Sequence, residues 1–91
     1  MTEITTLKKI DASSAPKLDA ALKAAIEGGE LEIIVNMVET TYISSVGLRA
    51  FASAQKKMNK LGGSMVLKGA QACIKEIFEV TGFGGILTFE D

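Results

Sequence analysis

The run Leu31-Glu32-Ile33-Ile34-Val35-Asn36-Met37, followed after six intervening residues by Ser44-Ser45-Val46-Gly47-Leu48-Arg49, decides how this chain is read. Three consecutive β-branched residues at 33–35 predict a strand buried on both faces, in a central and parallel position of a sheet. Residues 38–43 read as a short connection. From Leu48 onward, Leu48, Phe51, Gln55, Met58 and Leu61 mark one face of an amphipathic helix. Ser44 and Ser45 therefore lie near a helix N-terminus, where backbone N–H groups are unpaired and the dipole is positive. A hydroxyl there can cap the helix, and a phosphate attached there meets favourable dipoles.

Working outward, residues 3–10 mix β-branched and polar residues in partial alternation and predict a strand near a sheet edge, able to pair antiparallel there. Asp11 opens a turn, two serines offer N-caps, and Pro16 suits a first helical turn. Leu18, Ala21, Leu22, Ala25 and Ile26 then recur at helical spacing until Gly28-Gly29 stops the pattern. Beyond the central helix, which Gly62-Gly63 ends, residues 64–68 read as a strand. Ala70, Cys73, Ile74, Ile77 and Phe78 form one face of a third helix, and residues 86–89 form a last edge strand. The order β-α-β-α-β-α-β predicts an α/β fold: a small mixed, largely parallel β-sheet with about three crossover helices, in a single domain over residues 1–91.

Composition narrows the function. The 91 residues are 47% hydrophobic and 23% charged, as in an ordered globular chain. Ten basic residues against eleven acidic ones give a net charge of -1, which does not suit nucleic acid, and aromatic residues are too few for base stacking. No apolar run is long enough for membrane insertion and the N-terminus lacks a signal-peptide layout, so a cytoplasmic location is expected. The chain has no histidine and a single cysteine, which removes the commonest general base, the commonest metal ligand and any internal disulfide. A non-enzymatic protein without cofactor or metal is the expectation. The glycines lack the spacing of a phosphate-binding loop and read as helix stops.

Two readings of the serine pair stand side by side: a helix cap, or a hydroxyl with a chemical role. A serine-hydrolase reading fails because Ser-Val-Gly is not a nucleophile elbow and no histidine is present. Gly47 either permits close approach of another group or relaxes the turn; Arg49, the sole arginine, is either a solvated residue or part of the site. Cys73 is expected to be a small core residue. Phe83, flanked by Gly82 and Gly84, is open between a docking residue and a lid over the core.

The segment Tyr42-Ile43-Ser44-Ser45-Val46-Gly47-Leu48-Arg49 with its lysine-bearing helix resembles the anti-sigma factor antagonist family, bacterial proteins with a single-domain STAS fold. Two further segments carry the resemblance: residues 10–18 around the first helix and residues 77–83 at the C-terminal helix and turn. The resemblance implies phosphorylation of Ser45 and a partner-binding surface made by Asp11, Ser44, Ser45, Val46, Gly47, Leu48 and Arg49. It also implies a partner that is both anti-sigma factor and serine kinase, with a serine phosphatase as a second candidate partner. Unphosphorylated chain would bind that partner, and phosphorylation would switch binding off. Ser44 stands where the family often has aspartate, Val46 where a small or hydroxyl residue is usual, and Lys9 where a glycine often precedes the Ile-Asp pair. The N-terminal part is expected to be one strand short of the family's usual count. The alternative from the same resemblance is a STAS scaffold or transporter-associated binding module with no phosphorylation cycle. Oligomeric state is left open by the sequence.

Overall fold

A computed structural model describes residues 2–90. In chain order it contains β1 (Thr2–Thr5), β2 (Lys9–Ile10), α1 (Ala15–Glu27), β3 (Glu32–Asn36), β4 (Tyr42–Ile43), α2 (Ser45–Leu61), β5 (Ser64–Lys68), α3 (Ala72–Val80) and β6 (Thr88–Glu90). Four strands form one sheet in the order β1-β3-β5-β6, and β2 and β4 form a separate two-stranded ladder. Every pairing is parallel, including that of β1, so the antiparallel option for the first strand is not taken.

The strand order explains the layering. Each crossover moves one place in the same direction across the sheet, and crossovers of one hand must then lie on one face. Alternate residues of the strands, Ile33 and Val35 with Met65 and Leu67, are accordingly buried in one cluster with Leu22 of α1, Phe51 and Met58 of α2, and Ile74 and Phe78 of α3. The opposite face of β3 carries Glu32, exposed, and Ile34 and Asn36, half-buried. The expectation that β3 is buried on both faces is therefore corrected. Its β-branched run fits a strand with helices on one side only.

Two further corrections concern the first strand and the connection after β3. The run 3–10 is broken: after Thr5, the Thr6 N–H still donates to the Asn36 carbonyl (3.0 Å), and the chain then leaves β3. Lys9 and Ile10 pair instead with Tyr42 and Ile43, inside the presumed connection. A buried polar staple holds this bend. The Thr40 hydroxyl donates to the Leu7 carbonyl (2.8 Å) and shares a hydrogen bond with the Thr6 hydroxyl. Thr6 and Thr40 are both buried, and such groups persist in a core only when paired.

At the ends of the helices the expected punctuation is present. Gly62 follows α2 in the left-handed region (φ 75°) and its N–H returns to Asn59, which a residue with a Cβ would do only under strain. Gln55, placed by spacing on the apolar face of α2, is indeed buried, whereas Leu61 at the end of that face is exposed. Gln55 keeps one amide bond, donated to Asn59 Oδ1 (2.9 Å), and its own Oε1 has no partner among the described residues. Cys73 is exposed on α3, so its assignment to the core is wrong. The core stripe of α3 is the pair Ile74 and Phe78, four residues apart, and Cys73 lies to one side of it. Phe83 is half-buried and packs against the core. Among the described residues no helix is long and apolar enough to cross a membrane.

Candidate functional site

All four strands of the main sheet point their carboxyl ends the same way, and the β2–β4 ladder, the Asp11 turn and the start of α2 gather at that end. The serine pair divides its roles there. Ser44 has an extended backbone (φ -85°, ψ 168°), and its hydroxyl accepts from the Gly47 N–H at 3.3 Å, while its carbonyl accepts from the Leu48 N–H at 3.0 Å. It is the N-cap of α2. Ser45 is the first helical residue, exposed, and its hydroxyl makes no hydrogen bond among the described residues. The helix thus starts three residues before the first member of its apolar stripe, with Ser44 already occupied and Ser45 free.

What holds this helix start in place is visible from beneath. The Ser44 N–H donates to the Ile10 carbonyl at 2.7 Å, extending the β2–β4 ladder by one bond. Ile10 and Ile43, paired across that ladder, are both buried, and Gly47 sits over them. A Cβ built on Gly47 would lie 2.7 Å from Ile10 Cγ2 and 2.9 Å from Ile43 Cγ1. Close approach, rather than relaxation of the turn, is thus the structural reason for the glycine. Gly47 and Leu48 are buried and shape the surface from below, whereas Ser45, Val46 and Arg49 face solvent and Ser44 is half-buried.

Asp11 follows directly on Ile10, as Ser44 follows on Ile43, so the ladder brings the two motifs side by side. Its Oδ1 accepts from the Ser13 hydroxyl (2.8 Å) and from the backbone N–H groups of Ser13 and Ser14 (3.0 Å each). The Ser14 hydroxyl in turn donates to the Lys9 carbonyl (2.9 Å). Asp11 therefore organises the turn that leads into α1. The bond from the Ser13 hydroxyl, followed by those from the Ser14 and Ser13 backbone N–H groups, lowers its pKa from 3.8 to about 2.

A folded-state pKa below the ordinary value means that the unfolded chain binds the proton more readily, so stability rises with pH across this window. The contribution of Asp11 is complete above 3.8 and is lost as the pH falls toward 2. Thermal unfolding of the wild type and of Asp11→Asn, compared from neutral pH down to about 2, should show the difference in melting temperature shrinking through that interval. A difference independent of pH would show that the carboxylate charge does not hold the turn.

The carboxyl end of the fold also carries exposed apolar side chains, of which the sequence reading places only Val46 in the site. Tyr42 (48% exposed) and Val46 (46%) flank the serines, and Leu7 and Val38 project from the neighbouring loops. The available signal was their position in short segments between strands, where an apolar residue has no core to enter. Arg49 lies one turn beyond Ser45 on α2 and forms no ion pair among the described residues. Among the described residues no cluster of His, Cys, Asp and Glu could hold a metal ion.

Comparison with known proteins places this geometry in a family. The STAS domain model matches residues 3–91. The chain is similar to BtrV of Bordetella bronchiseptica, a protein assigned to the anti-sigma factor antagonists, with 31% identity over 74 residues, 81% of this chain and 64% of that protein. It therefore spans somewhat less than two thirds of that relative's length. It is also similar to the anti-sigma-B factor antagonist of Listeria monocytogenes, with 28% identity over 89 residues, 98% of this chain and 78% of that one. Its fold matches that of the anti-sigma factor antagonist SpoIIAA in unphosphorylated form (TM-score 0.83, 17% identity, covering 99% of this chain and 80% of that one). The match extends to phosphorylated SpoIIAA of Bacillus (TM-score 0.76, 18% identity, covering 99% and 83%). The chain belongs to the STAS domain family, where its relatives are anti-sigma factor antagonists.

Proposed function

We propose that this protein is an anti-sigma factor antagonist that docks the Ser45 end of α2 on a partner serving as both anti-sigma factor and serine kinase, and that phosphorylation of Ser45 switches docking off. The observation that carries this reading is the division of labour in the serine pair. Ser44 caps the helix, and the neighbouring hydroxyl of Ser45 is exposed and, among the described residues, unbonded at the first helical position. An acceptor of phosphate needs that freedom: its oxygen forms the new bond to the γ-phosphorus of ATP, its proton passes to a base of the kinase, and ADP leaves.

Electrostatics explains why the switch would act on binding and spare the fold. A phosphoserine brings a charge of about -1.5 to -2 and three acceptor oxygens. At the N-terminus of α2 this charge gains about 0.3 to 1 kcal/mol from the dipole. Pressed into an interface without a matched cation, it costs several kcal/mol of desolvation, and each 1.4 kcal/mol is about tenfold in affinity. The SpoIIAA fold exists in both phosphorylated and unphosphorylated form, which is in keeping with a modification that the domain tolerates. Ser44 in place of the family's usual aspartate preserves the cap, since serine and aspartate serve that position about equally. It also removes a negative charge that would sit beside the phosphate. The exposed Tyr42 and Val46 supply apolar contact around Ser45.

The test is to incubate the chain with ATP and the candidate anti-sigma kinase of its own genome, map the phosphate by mass spectrometry, and measure affinity for that partner. Phosphate is expected on Ser45 and absent from Ser45→Ala, which keeps its affinity; Ser45→Asp should bind at least about tenfold more weakly. If Ser45→Asp and Ser45→Ala both bind as wild type and no phosphate appears, the scaffold or transporter-associated reading replaces this one. A serine phosphatase that restores binding would complete the cycle.

A further inference from the structure

Beyond Ser45, α2 carries a second feature that phosphorylation does not use. Within Ser45–Leu61 there are four cations, Arg49, Lys56, Lys57 and Lys60, and no acidic residue. The whole chain has a net charge of -1, so the residues outside this helix sum to -5. Positions 49, 53, 56 and 60 fall on one face of a helix. All four cations are exposed, and none forms an ion pair among the described residues. Together with Ala52 and the half-buried Phe83 they line an open groove between α2 and the turn after α3.

We propose that this groove is an interaction surface for an acidic segment of the protein partner that engages Ser45. Four observations favour that occupant. Among the described residues no acidic group pairs with the cations, so a segment bearing several carboxylates is their electrostatic complement. A groove with a small residue, Ala52, in its lining and an aromatic wall, Phe83, receives a single segment of chain, whereas a bilayer surface is broad and flat. An extended polyanion or an anionic membrane would also meet the -5 charge of the remaining surface, which a short acidic segment avoids. The groove is continuous with the docking end, because Arg49 also lines the depression next to Val46 between α1 and α2. A phosphate on Ser45, one turn from Arg49, would lower the groove's potential as well as obstruct the serine surface.

This inference rests on the docking reading above, and its test separates the two. The full chain, Lys56→Gln/Lys57→Gln/Lys60→Gln and the corresponding Glu triple variant are compared for binding to the anti-sigma partner across a series of salt concentrations, with thermal melting as a control for folding. The association rate of the Gln variant should fall about tenfold at low salt, that of the Glu variant further, and the salt dependence of the wild type should flatten in both. A short poly-glutamate peptide should bind the wild type alone. If the partner binds wild type and both variants with the same rate and salt slope, the groove is not part of the interface, and the Ser45 reading stands. If no partner binds the wild type, the docking reading fails; peptide binding lost in the Gln variant then still supports an acid-binding groove. Binding of phosphatidylserine vesicles that depends on the three lysines, without any effect on partner or peptide, would overturn the proposal in favour of a membrane surface.

Discussion

Phe78→Ala is expected to destabilise the protein by about 3 to 5 kcal/mol, the usual cost of emptying a fully buried aromatic site. A chain of this length has about 5 to 15 kcal/mol of stability in all, so the variant should unfold at a much lower urea midpoint. The reason lies in what the ring connects. Phe78 is fully buried, its centroid 6.0 Å from that of Phe51 and 5.3 Å from that of Phe89, the latter in an edge-on arrangement. It therefore ties α3 to both α2 and the edge strand β6. α3 is a helix of nine residues with two buried side chains, Ile74 and Phe78, and beside them the half-buried Ile77 packs against the core. Urea titration followed by circular dichroism measures the loss, with Phe78→Leu as the milder comparison. A cost below about 1.5 kcal/mol would mean that the C-terminal third does not depend on this contact.

Substitution of Gly47 is expected to have the second large effect, and it reaches the site directly. Alanine in a helix is worth about 1 kcal/mol more than glycine, so at an open position Gly47→Ala would stabilise α2. Here the new Cβ would lie 2.7 Å from Ile10 Cγ2 and 2.9 Å from Ile43 Cγ1, atoms one bond from the Cβ of residues held in the β2–β4 ladder. Overpacking of this kind costs about 1 to 3 kcal/mol, and the larger, β-branched Gly47→Val should lie at or above the top of that range. The strain is relieved only by lifting the first turn of α2, which carries Ser45 and the Ser44 cap. A double-mutant cycle tests the cause. Gly47→Ala combined with Ile10→Ala should cost less than the two separately, with a coupling of about 0.5 to 3 kcal/mol. Additive costs would place the origin of the effect elsewhere.

Much of the fold was legible because its signals are local. The stripe of Leu18, Leu22 and Ile26 in α1, the Gly28-Gly29 and Gly62-Gly63 stops and the apolar face of α2 from Leu48 to Met58 depend on residues within a few turns of one another, and each appears in the structure at the expected place; only Leu61, at the end of that face, does not. The candidate site was legible for the same reason, since a cap and its helix are neighbours in sequence. What failed was non-local. Residues 9–10 and 42–43 are the two strands of one short ladder and acquire their identity only by meeting each other, and no periodicity can be read from two residues. Cys73 was misplaced because one position on a nine-residue helix turns a side chain by about 100°, from the core to solvent.

By itself, then, the order and period of the apolar residues determined an α/β chain with three helices, a central β3, and a serine pair at the start of α2. Tertiary structure decided the rest: that all helices cover one face of the sheet, that Ile10 and Ile43 come together beneath Gly47, and that Asp11 stands beside the serine motif some thirty residues away. It also separated the two serines, committing Ser44 to the Gly47 N–H and leaving Ser45 exposed. The physical reason is one of range. Hydrophobic periodicity and capping act over a few residues, whereas burial of a glycine, pairing of a short strand and freedom of a hydroxyl depend on which distant segment arrives next to them.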